Sequence, residues 1–133
     1  GKSFPRTMLT LAQPCPGGKP RSLRVVSDQV GAPTYTVHLA KAVAVIISKP
    51  CYGTYHAVNA GCCSWYEFAC EVFRAAGLDP EVTPIPSSEY PTPAPRPKNS
   101  LLDTSKLARV YGHQLPSWQE GACEFVRLWR ASR

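Results

Sequence analysis

One segment of the chain carries groups that could bind an anion. Between Glu89 and Ser100, prolines at alternate positions flank the guanidinium of Arg96, and the ammonium of Lys98 and the amide of Asn99 follow it. Each proline fixes φ and pushes the residue before it into an extended conformation, so the loop is held open. An arginine on such a support can offer a planar fork to a phosphate or a carboxylate. A structural loop whose arginine pairs with a surface acid fits the pattern about equally well.

The sequence shows no convincing nucleophile paired with a base. Cys62 and Cys63 lie just before a predicted helix start, where the helix dipole lowers a thiol pKa. Ser64 is the helix cap there and no base accompanies it, so we interpret both cysteines as structural thiols. We predict that His56 is a packed core histidine. Neither a glycine-rich phosphate loop nor a Tyr-x-x-x-Lys pair occurs, and we therefore predict no catalytic residue in this chain.

Length and charge restrict the class of partner. A chain of 133 residues with 44% apolar residues suits one domain with its own core. The net charge of +6 favours an anionic partner, but the 15 lysines and arginines are scattered rather than clustered. This argues against nucleic acid and leaves room for a sugar nucleotide or a dinucleotide, which needs only one or two cations. No apolar run is long enough to span a membrane.

The six cysteines do not have the spacing of a disulfide framework or a metal site. Two are adjacent, one lies inside a helical pattern, and no Cys-x-x-Cys pair exists. We predict reduced thiols, a cytoplasmic protein and no metal, since neither His38 nor His56 pairs with cysteines at ligand spacing.

The first half of the chain predicts alternating helices, strands and loops. The periodicity predicts a helix over 3–12, an exposed loop over 14–20, a strand over 23–26, a polar connection over 27–35 and a strand over 53–59. A helix from about Thr36 is expected to bury Leu39, Val43, Ile46 and Ile47.

The second half contains two helix starts with capping boxes, at Ser64-Trp65-Tyr66-Glu67 and Ser117-Trp118-Gln119-Glu120. The predicted buried stripes are Trp65, Phe68, Ala69, Val72, Phe73 and Ala76 in the first helix and Trp118, Ala122, Phe125, Val126 and Trp129 in the second. A strand over 81–85, a few strand residues at 101–102 and a helix from 103 or 104 to 111 complete the prediction. The fold class is α/β with four to five helices and about three short strands.

Several of these stretches, taken in order, resemble the C-terminal half of the dTDP-4-dehydrorhamnose reductases, members of the extended short-chain dehydrogenase/reductase family. The matching motifs are Phe4 with Thr7-Met8-Leu9, Val25 to Tyr35, Gly53-Thr54-Tyr55-His56, Asn59-Ala60-Gly61, Cys63 to Ala69, Glu89 to Ser100 and Leu102 to Leu107. The resemblance covers nearly the whole chain, residues 1–133, as one substrate-binding domain.

The resemblance implies a Rossmann-like enzyme of which this chain is a fragment. An N-terminal Rossmann part, absent here, would hold NADPH and carry the catalytic tyrosine and lysine. The full enzyme would reduce dTDP-4-dehydro-β-L-rhamnose to dTDP-β-L-rhamnose, and this chain alone would be inactive. Arg96 would bind the diphosphate of the dTDP-sugar, and the loop with Gln29, Thr34 and Tyr35 would face the cleft between the two parts. Lys98 and Asn99 are weaker candidates for the same site.

The sequence departs from the family pattern at position 38, where His stands in place of the usual acid. The resemblance also leaves an alternative open, because the regulatory β subunit of methionine adenosyltransferase has similar motifs and binds a partner instead of reducing a sugar. The sequence does not decide between dTDP and UDP sugars, or whether the parent is a homodimer. The chain has no initiator methionine before Gly1, and we expect a truncated fold with an exposed apolar surface where the Rossmann part would dock.

Overall fold

The computed structural model describes residues 3–13 and 22–132 of the chain. Within these ranges there are five α-helices and four short strands, as the α/β prediction requires. The helices are α1 (Phe4–Leu11), α2 (Thr36–Ile47), α3 (Trp65–Ala75), α4 (Ser105–Tyr111) and α5 (Trp118–Ala131). The strands are β1 (Leu23–Val26), β2 (Val30–Gly31), β3 (Cys63–Ser64) and β4 (Val82–Ile85). The loop predicted over 14–20 lies outside the described residues.

The helices α3 and α5 begin at the two predicted capping boxes. Ser64 accepts a hydrogen bond from the backbone N–H of Glu67, and the Glu67 carboxylate accepts one from the Ser64 backbone. Ser117 and Glu120 repeat this exchange at the start of α5. Because each box satisfies two amide donors that a helix start would otherwise leave open, both helix starts are fixed by local sequence.

The main core lies where α1, α3 and α5 pack together. It buries eight residues, namely Leu9, Cys63, Phe68, Val72, Ala76, Trp118, Ala122 and Val126. The rings of Phe68 and Trp118 meet edge to face with centroids 6.1 Å apart, and Phe4 stacks on Phe68 from the α1 side. The predicted stripes of α3 and α5 are therefore largely confirmed, except that Trp65 is 43% exposed.

Two short pairs of strands hold the loops of the molecule in place. The strands β1 and β4 pair in parallel, from Leu23 opposite Val82 to Val26 opposite Ile85. Leu23, Val25, Ala69 and Phe73 form a second buried cluster between β1 and α3. The strands β2 and β3 pair antiparallel, which brings the loop after β1 beside the start of α3.

The prediction for the buried face of α2 is wrong. Leu39, Val43 and Ile47 are 37%, 46% and 78% exposed, while His38 and Ala42 are buried. The helix is apolar on almost every side, so its periodicity does not identify one face. Ala42 packs with Leu107 of α4 and with Leu115 in a third small cluster, and of the four residues predicted to be buried only Ile46 packs against it.

The predicted strand over 53–59 is an extended segment without a strand partner among the described residues. One face of the segment does turn toward the protein interior, because Asn59 is buried and Tyr55 is half-buried. His56 is exposed, and its prediction as a core histidine is wrong. Residues 101–102 form no strand either. No helix in the described ranges is long and apolar enough to cross a lipid bilayer.

Candidate functional site

The loop that follows β1 is tied to the turn that precedes the proline-rich segment. The Asp28 carboxylate accepts hydrogen bonds from the backbone N–H of Ser87, at 2.8 Å, and from its hydroxyl, at 2.9 Å. These bonds, the side-chain one above all, hold the pKa of Asp28 below its ordinary value. Asp28 thus fixes the start of the segment that leads to Arg96.

The other end of the proline-rich segment is tied to β2. The backbone N–H of Val30 donates to the carbonyl of Lys98 at 2.8 Å, and the N–H of Ser100 donates to the carbonyl of Val30 at 3.0 Å. Val30 and Asn99 form a parallel bridge. Since β2 also pairs with β3, the two loops and the start of α3 meet at one place.

A cleft of about 300 Å³ opens where these three segments meet. Arg96 and Gln29, both predicted as site residues, line it together. Its other lining residues are Val30, Gly31, Ala32, Pro33, Cys63, Ser64, Trp65, Pro97 and Ser100. We call it the β2 cleft. Within the described residues the Arg96 side chain has no acidic partner, so its guanidinium is available to a ligand.

A second cleft, of about 550 Å³, shares the Gln29, Trp65 and Arg96 side of the β2 cleft. We call it the α1 cleft, because Phe4, Thr7 and Met8 of α1 line it. The remaining lining residues are Arg24, Val25, Val26, Tyr90 and Thr92. Arg24 differs from Arg96 in that it forms an ion pair with Glu89. Arg96 therefore lies at the junction of an apolar, partly aromatic cleft and a smaller one.

Thr34 and Tyr35 lie in a third cleft, of about 570 Å³, on the far side of Pro33 and Trp65. The Thr34 hydroxyl donates to the Ala32 carbonyl at 3.0 Å and accepts from the Asn59 backbone at 3.3 Å. Its hydrogen-bonding capacity is thus used within the fold. The structure places these two predicted site residues apart from Arg96 and Gln29.

Lys98 and Asn99 line none of the three clefts described above. Lys98 contributes its carbonyl to Val30, and the Asn99 side chain accepts a hydrogen bond from the Leu101 backbone at 2.9 Å. Asn99 therefore shapes the end of the loop.

Sequence reasoning did not identify Trp65 as a site residue. It is the first residue of α3, it lines all three clefts, and it packs against Phe4 with ring centroids 4.8 Å apart. The helical stripe assigned it to the core because the same spacing suits a core residue. Its place directly after the N-cap, beside a strand pairing, is the signal that would have separated it from Phe68.

A buried polar network beneath Tyr35 was also missed. The Asn59 amide donates to the carbonyls of Pro116 and Ser117, at 2.8 and 3.0 Å, and its oxygen accepts from the Tyr35 backbone at 3.1 Å. The same amide nitrogen is 2.8 Å from Nδ1 of the buried His38. Burial of an amide and an imidazole in one network holds the end of the 28–35 loop against α5.

Cys63 has the environment of a structural thiol, whereas its neighbour Cys62 is exposed. Burial, with Glu67 nearby, raises the pKa of Cys63 to about 12, which is the opposite of what a nucleophile needs. The five cysteines in the described ranges are free, and those ranges hold no group of three or more potential metal ligands.

The chain matches known proteins over most of its length. The family described as the RmlD substrate binding domain matches residues 1–130. The dTDP-4-dehydrorhamnose reductase of Salmonella typhimurium is 40% identical over 132 residues, which cover 91% of this chain and 42% of that protein.

Two solved structures agree with this result. The dTDP-4-dehydrorhamnose reductase ortholog of Clostridium acetobutylicum superimposes with a TM-score of 0.89 at 41% identity, over 98% of this chain and 45% of that one. The reductase of Bacillus anthracis, solved in complex with NADP, gives a TM-score of 0.85 at 36% identity over 96% and 43% of the two chains.

These matches show the class of protein: the chain has the fold of the substrate-binding part of extended short-chain dehydrogenase/reductases. It belongs to the RmlD substrate-binding domain family. The chain spans less than half the length of the relatives described above. None of these three relatives is a methionine adenosyltransferase subunit, and no observation favours that alternative.

Proposed function

We propose that this chain is the substrate-binding part of an NADPH-dependent dTDP-4-dehydrorhamnose reductase. The complete protein would reduce dTDP-4-dehydro-β-L-rhamnose to dTDP-β-L-rhamnose in the cytoplasm. The observation that carries the proposal is the position of Arg96, whose guanidinium has no acidic partner in the described ranges and lies at the junction of two clefts in a chain of this family.

Arg96 is suited to the diphosphate of a nucleotide sugar. Its guanidinium can donate two parallel hydrogen bonds to phosphate oxygens, and the prolines around it keep the loop from collapsing onto an acidic neighbour. A hydrogen bond to a charged group contributes about 1.5–3 kcal/mol. The Gln29 amide, which has no hydrogen-bond partner among the described residues, lines the same two clefts and can add donors and an acceptor.

The two clefts differ in a way that assigns the two ends of the ligand. The α1 cleft offers Phe4, Met8 and Tyr90, whose apolar and aromatic surfaces suit a nucleoside base. The β2 cleft is smaller and is formed largely by loop and strand residues, which suits a hexose. With the diphosphate on Arg96, the base would occupy the α1 cleft and the sugar the β2 cleft.

The reaction would need NADPH, and the residues of this chain do not form a site for it. NADPH supplies a hydride to the ketone carbon, but the sequence has no glycine-rich dinucleotide loop and no Tyr-x-x-x-Lys pair. The role of the residues described here is therefore to bind and orient the dTDP-sugar, and the isolated chain would be inactive.

The rest of the complete protein would dock on α2 and the neighbouring extended segment. Val37, Leu39, Val43 and Ile47 expose an apolar helix face, and the backbone of residues 55–58 has no hydrogen-bond partner in the described part of the chain. An apolar face beside an unpaired extended segment is what a Rossmann sheet could cover. The proposal also allows the complete protein to form a homodimer.

The test compares two arginines of the α1 cleft in the longer protein that contains this chain. Arg96→Ala should raise the KM for the dTDP-keto-sugar at least tenfold, because a loss of about 1.4 kcal/mol corresponds to a factor of ten. Arg24→Ala is the matched control, since Arg24 lines the same cleft but is paired with Glu89.

The readout is the oxidation of NADPH, followed at a range of sugar concentrations. An absence of NADPH oxidation that depends on the dTDP-keto-sugar would exclude the reductase proposal. An unchanged KM in Arg96→Ala, or an equal loss in Arg24→Ala, would remove Arg96 from the diphosphate site. Calorimetric titration of dTDP gives the same comparison without turnover.

A further inference from the structure

Among the described residues, hydrogen bonds hold the proline-rich segment to the rest of the molecule only at its two ends. Residues 91–97 make no hydrogen bond to any other part of the described chain, and the single bond of Thr92 is to the Ala94 carbonyl. The start is held by Asp28 and Ser87, as described above. The position of Arg96 therefore depends on the other end, which lies only two to four residues away from it.

That end is a clasp formed by Val30, Gly31, Lys98 and Ser100. Three hydrogen bonds join its two sides: Val30 N–H to the Lys98 carbonyl, Ser100 N–H to the Val30 carbonyl, and the Ser100 hydroxyl to the same carbonyl at 3.2 Å. The Val30 carbonyl thus accepts both donors of Ser100.

Gly31 permits the two sides of the clasp to come together. A Cβ at position 31 would lie 2.8 Å from the Ser100 hydroxyl oxygen, closer than side-chain atoms normally come. Its backbone needs no left-handed conformation, so the requirement for glycine is one of space. Any side chain there must displace Ser100 or rotate its hydroxyl away from the Val30 carbonyl.

We propose that Gly31 and Ser100 are positioning residues that set the place of the Arg96 guanidinium at the β2 cleft. A displacement of Ser100 moves the Val30–Asn99 bridge and Lys98 beside it, and Pro97, with its fixed φ, transmits the shift to Arg96. The proposal rests on the proposed function, because it assumes that Arg96 binds the diphosphate.

The experiment is a double-mutant cycle in the longer protein, with dTDP as the probe and calorimetry as the readout. Gly31→Ala should weaken binding about tenfold, within the range of coupling found for residues in contact. Ser100→Ala should weaken it about threefold, because only the hydroxyl bond is lost. The double variant should bind like Ser100→Ala, since alanine at 100 leaves room for the new methyl group.

This recovery shows that the loss in Gly31→Ala comes from the collision with the Ser100 hydroxyl. Amide hydrogen exchange at Val30 and Ser100 gives a second readout, and should be faster in Gly31→Ala than in the double variant. Should Gly31→Ala fail to fold, Ser100→Ala alone still tests the clasp, because it removes the hydroxyl bond to the Val30 carbonyl with Gly31 unchanged. Its binding of dTDP should then be weaker about threefold, and binding like wild type would overturn the clasp.

The outcomes separate the two proposals. A double variant as weak as Gly31→Ala, or a Gly31→Ala that binds like wild type, overturns the clasp while Arg96 keeps its role. If Arg96→Ala binds dTDP as tightly as the wild type does, Arg96 does not bind the diphosphate, and the positioning inference is overturned as well.

Discussion

The helices α1, α3 and α5 bury their apolar residues against one another, whereas α2 presents much of its apolar surface to solvent. Phe68, Val72 and Val126 are at most 9% exposed, but Ile47 is 78% exposed. The first region also has both capping boxes, and the second has an extended segment, residues 55–58, whose backbone has no hydrogen-bond partner in the described part of the chain. The first region thus buries its apolar side chains, while the second exposes the face on which we propose that the rest of the complete protein docks.

The comparison shows that apolar content alone does not decide burial here. The helix α2 carries no acidic residue and only one lysine, and is thus less polar than α3 or α5, yet it has the more exposed apolar side chains. The helices that pack well are those with one apolar stripe and a polar opposite face. Four predictions test this difference.

The largest expected effect is in the complete region. Trp118→Ala should lower the free energy of unfolding by about 3–5 kcal/mol, because it removes a large ring from between α3 and α5. Ile47→Ala in α2 is the control and should cost no more than about 0.5 kcal/mol in this chain. Urea unfolding measures both. Equal losses would contradict the division into two regions.

The next effect concerns the network that joins the two regions. Asn59→Ala should cost about 1–3 kcal/mol, because it leaves Nδ1 of the buried His38 and the half-buried Tyr35 amide without their partner. The exposed Asn99 makes one local hydrogen bond, and Asn99→Ala should stay within about 0.5 kcal/mol. Thermal unfolding of the two variants makes the comparison. A neutral Asn59→Ala would show that the network does not stabilise the fold.

A smaller effect is expected in acid. Hydrogen bonds from the Ser64 backbone and hydroxyl lower the pKa of Glu67 below its ordinary 4.5. The ionised form is thus favoured by folding, so its contribution is complete above pH 4.5 and is lost as the pH falls through the lowered pKa. Glu67→Gln keeps a side chain that can cap and should flatten the loss of stability below pH 4.5. If the free energy of unfolding of Glu67→Gln falls with pH as steeply as that of the wild type, the Glu67 carboxylate does not contribute to the acid sensitivity.

The smallest effect on stability is expected on the exposed face of α2. Ile47→Lys and Val43→Lys should change the free energy of unfolding by no more than about 0.5 kcal/mol. They should nevertheless reduce self-association of the isolated chain and its binding of a hydrophobic dye, measured by light scattering and fluorescence. Leu128→Lys, at an exposed site of α5, is the control. If all three variants bind dye equally, the α2 face is not a docking surface.

Local signals in the sequence predicted the parts of the fold that depend on local bonds. The capping boxes at Ser64 and Ser117 located α3 and α5, because each box is closed by residues three positions apart. The alternation over 53–59 predicted a strand, but this segment is extended without a strand partner among the described residues, since pairing requires a second segment. The face of α2 was not predictable, because a helix that is apolar on most sides offers no contrast between its faces.

The site was predictable where one loop determines it. Proline spacing alone drew attention to Arg96, and the structure brings Gln29 beside it in the same clefts. Thr34 and Tyr35 are close to Gln29 in sequence but lie beyond Pro33. Local sequence does not reveal that the chain passes from one cleft to another at Pro33. Trp65 was not predicted as a site residue, because helical spacing does not separate a core residue from one at the mouth of a cleft.

The indole of Trp65 is a common wall of three spaces, and this has a consequence for ligands. A molecule that moved the ring from one side would change the shape of the other two spaces, and the three would then not fill independently. Affinities for two fragments of a ligand, such as a nucleoside and a sugar, should therefore be linked, and the linkage must be reciprocal. The fluorescence of this indole would report on occupancy from either direction.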